Sequence, residues 1–220
     1  ADPNVFLMGE DIGKYDGAYA VTQGLLEKYG PDRVRDTPIS EAAFVGAGVG
    51  AAVAGLRPVV ELMSMSFSLV ASDQIVNMAA KIRYMSGGQI NVPMVLRAPT
   101  GGGVQLAATH SQSFENWYAS VPGLKVVTPS TPYDALGLLR SSIEDDNPVV
   151  FAENALLYAT RGDVPDEEYR VPIGVADVKR TGTDITLVGW AHGIVTLMAA
   201  AEKLAETGVS AEVVDLRSLR

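Results

Sequence analysis

The 220-residue sequence has no cysteine, which excludes a disulfide framework and thiolate metal sites and fits a reducing compartment. Histidine is nearly absent, with two residues, and no H-E-x-x-H or other zinc-type spacing occurs. Positive charge is in deficit: 17 Lys and Arg against 26 Asp and Glu leave a formal net charge of -9. No basic stripe with interleaved aromatics is present, which argues against nucleic acid and against an anionic membrane surface. Apolar stretches are broken by Gly, Ser or charge within about a dozen residues, too short to span a bilayer. The opening Ala1-Asp2-Pro3-Asn4 is polar and acidic, unlike a signal peptide. A G-x-S-x-G nucleophile elbow, a P-loop and internal repeats are also missing.

What is there suffices for a core: 47% of residues are hydrophobic, and the length predicts one to two domains. The chain opens just before an expected strand, without an initiator Met. It closes at Leu216-Arg217-Ser218-Leu219-Arg220, just after another, and so reads as a fragment of a longer protein. Continuous apolar, β-branched runs predict strands at Val5–Gly9, Pro58–Leu62, Val92–Arg97, Leu124–Thr128 and Pro148–Ala152. Helix-period segments lie between them, at about Ala18–Tyr29, Ser40–Ala54, Ser66–Ser86, Phe114–Ser120 and Tyr133–Glu144. Strands without polar alternation are buried on both faces, so the pattern predicts a doubly wound, mostly parallel α/β domain over residues 1–154. Residues 155–182, with the polar run Arg161 to Glu168, read as an extended linker. Residues 183–220 read as the truncated start of a second α/β domain: strand Ile185–Trp190, helix Ile194–Thr207 ended by Gly208, and strand Ala211–Leu216.

In such sheets ligands bind beyond the carboxyl ends of strands. Glu10 stands there, directly after Gly9, although a loop carboxylate in water is the simpler reading. Thr37-Pro38-Ile39-Ser40-Glu41 is a helix start: Pro38 keeps its predecessor extended, Ser40 is a natural N-cap, and Glu41 falls in the first turn, where the helix dipole alone can account for it. The run Gly46-Ala47-Gly48-Val49-Gly50 lies inside the expected helix with the wrong spacing for a dinucleotide fingerprint, and is read as close helix packing. Ala98-Pro99-Thr100-Gly101-Gly102-Gly103-Val104 is a Gly-rich loop after a strand, leading to His110, and a loop of this kind can cradle an anion or act as a lid. Phe67, also after a strand, is either core or a stacking platform. His192 lies in the second unit and receives no role.

These segments together resemble a known family. Gly9-Glu10-Asp11, Tyr15 to Tyr19, Asp36 to Glu41, Gly55 to Pro58, Asp73-Gln74-Ile75, Tyr84-Met85-Ser86-Gly87-Gly88, His110-Ser111-Gln112, Pro122 to Val127 and Asp145 to Pro148 run in the order of the beta subunit of the thiamine-diphosphate-dependent 2-oxo acid dehydrogenase component, most like its pyruvate branch. The resemblance implies a pyrimidine-binding domain whose cofactor-activating glutamate is Glu41 or Glu10. It favours Glu41, with Glu10 a further pocket residue, Phe67 stacked on the aminopyrimidine and His110 an active-site histidine near substrate. It also implies a structural potassium ion with ligands at Met94, Ser142, Ile143, Asp145 and Asn147. The family's magnesium-diphosphate motif, Gly-Asp-Gly followed by Asn, does not occur here, which implies that an alpha subunit holds magnesium and the other half of a shared thiamine diphosphate site. Further implied are a heterotetramer with beta–beta contact, docking on a lipoyl-bearing acyltransferase core, and residence in the bacterial cytoplasm, favoured, or the mitochondrial matrix. Thr100, where relatives often carry Asn, and the three consecutive glycines depart from the pattern. Acetoin and branched-chain 2-oxo acid dehydrogenases, a single-chain transketolase or deoxyxylulose-phosphate synthase, and a non-catalytic assembly module stay open at this point.

Overall fold

A computed structural model describes residues 2–103 and 105–219; Val104, named above in the Gly-rich loop, lies outside the described residues, as do Ala1 and Arg220. The first unit contains strands β1 (Val5–Gly9), β2 (Val34–Asp36), β3 (Arg57–Glu61), β4 (Val95–Thr100), β5 (Lys125–Val127) and β6 (Val149–Asn154). Its helices are α1 (Leu25–Tyr29), α2 (Glu41–Val53), α3 (Ile82–Met85), α4 (Glu115–Ala119) and α5 (Pro132–Glu144). The strands form one sheet in the order β2-β1-β3-β4-β6-β5, with every neighbouring pair parallel. From β1 the chain steps outward to β2 and returns across β1 to β3, so the β1/β3 boundary is a topological switch point.

Both faces of the sheet carry core. On one, Met8, Val60, Leu62, Leu96 and Val150 pack with Phe44, Val45 and Val49 of α2. On the other, Val59, Val95 and Phe151 pack with Leu138 of α5 and Val171. The expected close approach of α2 rests on Gly48, where a Cβ would stand 2.6 Å from Val60 Cγ2, whereas Gly50 has nothing within 4 Å. One glycine of the stripe, then, is fixed by packing against β3.

Several elements depart from their expected bounds. Only Leu25–Tyr29 of the expected helix Ala18–Tyr29 is helical; left-handed backbone at Ala20 (φ 55°) and Gly24 (φ 75°) holds the residues before it in turns. The expected helix Ser66–Ser86 is three pieces, a 3₁₀ turn Met65–Leu69, a π turn Gln74–Ala79 and α3. Serine hydroxyls compete with the backbone ladder there: Ser64 Oγ accepts from Ser66 N at 3.2 Å and Ser68 Oγ donates to Met65 O at 2.6 Å. β4 starts three residues later than expected because Pro93 has no N–H to pair. β2 is short, with two of its three residues charged, and shows no pattern that predicts a strand. Ser40 occupies the N-cap position of α2, but its side chain makes no capping bond. Thr131 does cap α5, its hydroxyl accepting from Asp134 N at 3.1 Å.

The stretch read as linker is anchored near its middle, at Tyr169 to Val171. Tyr169 stacks on Tyr133 at 4.5 Å and Ser141 Oγ donates to Val171 O at 2.6 Å. It ends in strand β7 (Asp177–Arg180), which runs antiparallel to β9 (Ala211–Asp215) in a second sheet of order β7-β9-β8, with β8 (Ile185–Gly189) parallel to β9 and α6 (Gly193–Glu206) packed on them. A buried ionic junction ties this sheet to α5. Asp134, with no exposed surface, accepts from Arg217 Nη1 at 3.1 Å and from Lys179 Nζ at 2.5 Å. Burial pushes the Asp134 carboxyl up, but hydrogen bonds from Lys179, Thr131 and Arg217 outweigh it and hold the group below the usual range.

Candidate active site

The carboxyl ends of β1, β3 and β4 carry the residues singled out by the sequence. Glu10 leaves β1 directly, and its loop is pinned by Asp36 at the end of β2, whose carboxylate accepts from Gly13 N at 2.6 Å and Lys14 N at 3.0 Å. Thr37 N donates to Gly9 O at 2.9 Å, which holds the approach to α2 against the same loop. Gly9 is required here, since a Cβ would meet Glu61 O at 2.5 Å. Glu41 opens α2, where a carboxylate is favoured by the helix dipole.

Glu10 and Glu41 are each only 7% exposed. Burial, then the charge of Glu41, then that of Asp11, raise the Glu10 carboxyl above the usual range. The two glutamates therefore belong to one electrostatic site, and neither is a solvated loop acid. Two buried polar atoms in this region, Glu10 Oε1 and Thr37 Oγ1, have no hydrogen-bond partner. Such orphaned groups are rare in folded proteins and mark a place for a polar ligand. An acid pair with unspent hydrogen-bonding capacity suits the ring nitrogens and exocyclic amine of a pyrimidine.

Phe67 lies in the 3₁₀ turn after β3, half-buried, and His110 in the exposed loop after β4. Forty-three positions apart in sequence, their rings meet edge to face, 5.1 Å between centroids at 85°. His110 Nδ1 lies 3.0 Å from Thr109 Oγ1. The loop is tied at its far end, where Gln112 N donates to Ser66 Oγ at 3.4 Å and Thr100 Oγ1 donates to Glu115 Oε2 at 3.0 Å. Sequence reasoning passed over Thr37, Ser66, Asp36 and Glu115, since lone hydroxyls and acids have no spacing to betray them. The four expected residues thus fall into two pairs, Glu10 with Glu41 through charge and Phe67 with His110 through ring contact. His192 precedes α6, away from these strands.

The expected potassium ligands lie at the opposite end of the sheet. The carbonyls of Ile143 and Asp145 accept from Arg57 Nη1 at 3.0 and 3.2 Å, and the Asp145 carboxylate pairs with Lys125 and accepts from Asn147 N at 2.9 Å. Met94 O accepts from Val149 N at 2.9 Å, and Ser142 Oγ donates to Leu138 O at 2.7 Å. A monovalent ion at these carbonyls would share them with a guanidinium. Among the described residues no group of three or more His, Cys, Asp or Glu is gathered as a metal site.

A doubly wound parallel sheet with a buried acid pair at its switch point, and an aromatic and a histidine on the next strand ends, defines an α/β domain built to hold a ring-bearing ligand. The chain belongs to the transketolase family: residues 1–160 match the transketolase pyrimidine binding domain, and residues 174–220 match the transketolase C-terminal domain. It is 55% identical over 224 residues to pyruvate dehydrogenase E1 component subunit beta-1, mitochondrial, of Arabidopsis thaliana, covering all of this chain and 62% of that protein. It is 50% identical over 221 residues to pyruvate dehydrogenase E1 component subunit beta of Rhizobium meliloti (strain 1021), covering 48% of that protein. The chain therefore spans about half to three-fifths of the length of these curated relatives. A solved structure described as a split gene transketolase, inactive beta4 tetramer, superposes with a TM-score of 0.78 over 99% of this chain and 66% of the other, at 21% identity, and shares the fold.

Proposed function

We propose that this chain is the catalytic half-site of the beta subunit of a pyruvate dehydrogenase-type component, which decarboxylates a 2-oxo acid, pyruvate in preference to branched-chain acids or acetoin, and passes the acyl group to lipoyl carriers. The observation that carries the reading is the buried Glu10–Glu41 pair with an unpartnered Glu10 oxygen at the switch point; the 55% identity to a named beta subunit supports the substrate. Thiamine diphosphate, when bound, supplies the nucleophilic carbon and the electron sink that release of carbon dioxide needs.

Glu41 holds a proton at the pyrimidine ring nitrogen. Its place at the start of α2 fixes the carboxyl against the sheet, so a proton passes along a set direction. Glu10, kept neutral longer than a solvated glutamate by burial and by Glu41, offers a hydrogen bond to the same ring system without adding a second buried charge. Phe67 gives the ring a flat apolar neighbour. His110, exposed on its loop and braced by the Phe67 edge, is placed to trade protons with substrate at the mouth. Magnesium and the diphosphate fall to an alpha subunit, and the assembly is an alpha–beta heterotetramer that docks on an acyltransferase core. The relatives' mitochondrial and bacterial origins fit the matrix and the bacterial cytoplasm alike.

The test is reconstitution of the full-length beta chain with its alpha chain, followed by a 2-oxo acid panel with thiamine diphosphate and magnesium. Turnover is expected from the pair, with pyruvate best, and none from either chain alone. Full turnover by the beta chain alone overturns the split site. An active complex that keeps its rate after Glu41→Gln and His110→Ala reduces this chain to an assembly module.

A further inference from the structure

Helix α4 is only five residues long, yet it buries two polar side chains three positions apart, on one face: Glu115 at 8% exposure and Tyr118 at 3%. The helix dipole favours an acid in a first turn that still sits in water, so it does not explain why Glu115 is buried. Each side chain instead holds a different part of the site edge. Tyr118 Oη donates to Ser68 Oγ at 2.7 Å, and that hydroxyl donates to Met65 O at 2.6 Å, which fastens α4 to the 3₁₀ turn carrying Phe67. Glu115 Oε2 accepts from Thr100 Oγ1 at 3.0 Å, and Thr100, 3% exposed, is the last residue of β4. That bond joins the two ends of the loop 101–114, in which His110 lies. Between its ends the loop is held lightly. Gly101 and Gly103 pack where a Cβ would stand 2.7 Å from Asn154 Nδ2 and 2.2 Å from Leu156 Cδ1, but every residue from Gln105 to His110 is exposed. The backbone bonds there are local turns, Gln105 N to Gly102 O at 3.2 Å and His110 N to Ala107 O at 3.3 Å. On the return limb Gln112 N reaches Ser66 Oγ only at 3.4 Å, so the shorter, buried Thr100–Glu115 bond is the firmer tie.

We infer that Thr100 and Glu115 are positioning residues: their hydrogen bond closes the neck of the loop 101–114 onto α4 and so sets His110 against Phe67. Because α4 is fastened to the turn that carries Phe67, a loop clasped to α4 is held in the frame of that ring, and the edge-to-face contact of the two rings at 5.1 Å follows from the clasp. A hydroxyl donating to a carboxyl fixes one distance and one direction, which apolar packing at the same place does not. The part that His110 plays toward substrate rests on the function proposed above; the placing of its ring does not.

Steady-state kinetics of the full-length beta chain reconstituted with its alpha chain test this. Thr100→Val keeps the shape of the side chain and removes the hydroxyl. It is expected to lower kcat for pyruvate about 10- to 100-fold, the range a reactive group misplaced by about 1 Å produces, with the Kd for thiamine diphosphate by calorimetry within about twofold of wild type. Thr100→Ser keeps the hydroxyl and should retain most of the rate. Combined with His110→Ala, Thr100→Val should cost nothing further, as a residue acting only through His110 must. An equal loss in both backgrounds, a loss shared by Thr100→Ser, a Kd that rises in step with the loss of rate, or an unchanged kcat overturns the inference. A second readout needs no turnover. In the cofactor-free complex, with the histidines of the beta chain ¹³C-labelled, the His110 Cε1–H signal is assigned by its loss in His110→Gln. In Thr100→Val it should move toward its place in Phe67→Leu. A complex that turns over no 2-oxo acid, or that keeps its rate in His110→Ala, refutes the role proposed for His110 and leaves this signal to decide: a shifted signal sustains the clasp and an unmoved one refutes it. Should Thr100→Val fold poorly because Glu115 is left buried without its donor, Thr100→Val/Glu115→Met replaces both partners by apolar groups of similar shape and is judged by the same outcomes.

Discussion

Arg97 is the cation of a largely buried ionic cluster within the sheet. It is 4% exposed midway along β4, on the sheet face away from α2, and pairs with Glu61 of β3 and with Glu153 of β6 at 2.5 Å, while Nη2 donates to Tyr158 Oη at 3.1 Å. One cation thus answers two half-buried carboxylates, and it clamps three adjacent strands, β3, β4 and β6. Arg97→Met keeps much of the volume and removes the charge. Breaking a buried pair from one side costs about 3–5 kcal/mol because the partner is left charged and dry. Here two partners are stranded, so the upper half of that range is expected. The pH dependence carries the sign. Burial first, with Glu153 adding and Arg97 opposing, already raises the Glu61 carboxyl above its ordinary value. A group with a raised folded pKa contributes stability below its unfolded pKa and loses it as pH rises through the folded value. Without Arg97 the opposing influence disappears and the Glu61 carboxyl rises further, so the variant's deficit should be smallest near pH 5 and largest near pH 8. Urea unfolding of wild type and variant at the two pH values measures this, and Arg97→Met/Glu61→Gln should recover part of the loss. A deficit under about 1 kcal/mol that does not move with pH refutes the reasoning, since it would mean water reaches the cluster.

Four further outcomes follow from the site and its supports. Glu41→Gln in the reconstituted alpha–beta complex is expected to abolish decarboxylation with an unchanged circular dichroism spectrum; near-normal turnover would remove Glu41 from its role. Glu10→Gln mimics the protonated acid, so it should raise Tm by about 2–4 °C, corresponding to about 1 kcal/mol, at pH 8 and by less at pH 5, while weakening cofactor binding measured by calorimetry. Thr131→Ala removes the α5 cap and should cost about 0.5–2 kcal/mol in denaturant unfolding, with the larger values expected because Thr131 Oγ1 also bonds the Asp134 carboxylate at 2.7 Å. Potassium at the Ile143 and Asp145 carbonyls would show as a Tm that climbs when potassium chloride replaces choline chloride at fixed ionic strength, and a flat response would leave those oxygens to Arg57.

Elements and site were legible in the sequence to different depths, for physical reasons visible in particular residues. β1 was read to the residue because Val5-Phe6-Leu7-Met8-Gly9 is a continuous apolar run that ends in a glycine with no room for a side chain. The segment after β3 misled because its Ala, Met and Ile recur at helical spacing. What breaks it into 3₁₀ and π turns is hydroxyl bonding by Ser64 and Ser68, which a periodicity does not register. Residues 155–182 looked like linker because their polarity is real; Tyr169 and Val171 are anchors whose partners, Tyr133 and Gly137, lie more than thirty positions earlier. Glu10 and Glu41 were ambiguous from spacing alone, since a strand-end acid and a helix-start acid each have an innocent explanation. The topology buries both at one switch point, where the charge of Glu41 helps raise the Glu10 carboxyl.

That shared burial also explains why the site is built on strand ends and not on one continuous motif. Two carboxylates brought together away from water repel, and the repulsion must be borne by something stiff. Glu10 is held by a loop whose amides are spent on Asp36, and Glu41 by a helix locked against β3 through Gly48. Neither support can relax without breaking backbone hydrogen bonds or packing. The raised Glu10 carboxyl is therefore a property of the sheet as much as of the residue: loosen α2 by giving Gly48 a side chain, and the acid pair should drift apart. Gly48→Ala would gain about 1 kcal/mol of helix propensity and lose about 1–3 kcal/mol to overpacking against Val60. Its signature would be a fall in cofactor affinity out of proportion to its small effect on stability, and equal modest losses in both would show that the helix position does not set the distance between the two acids.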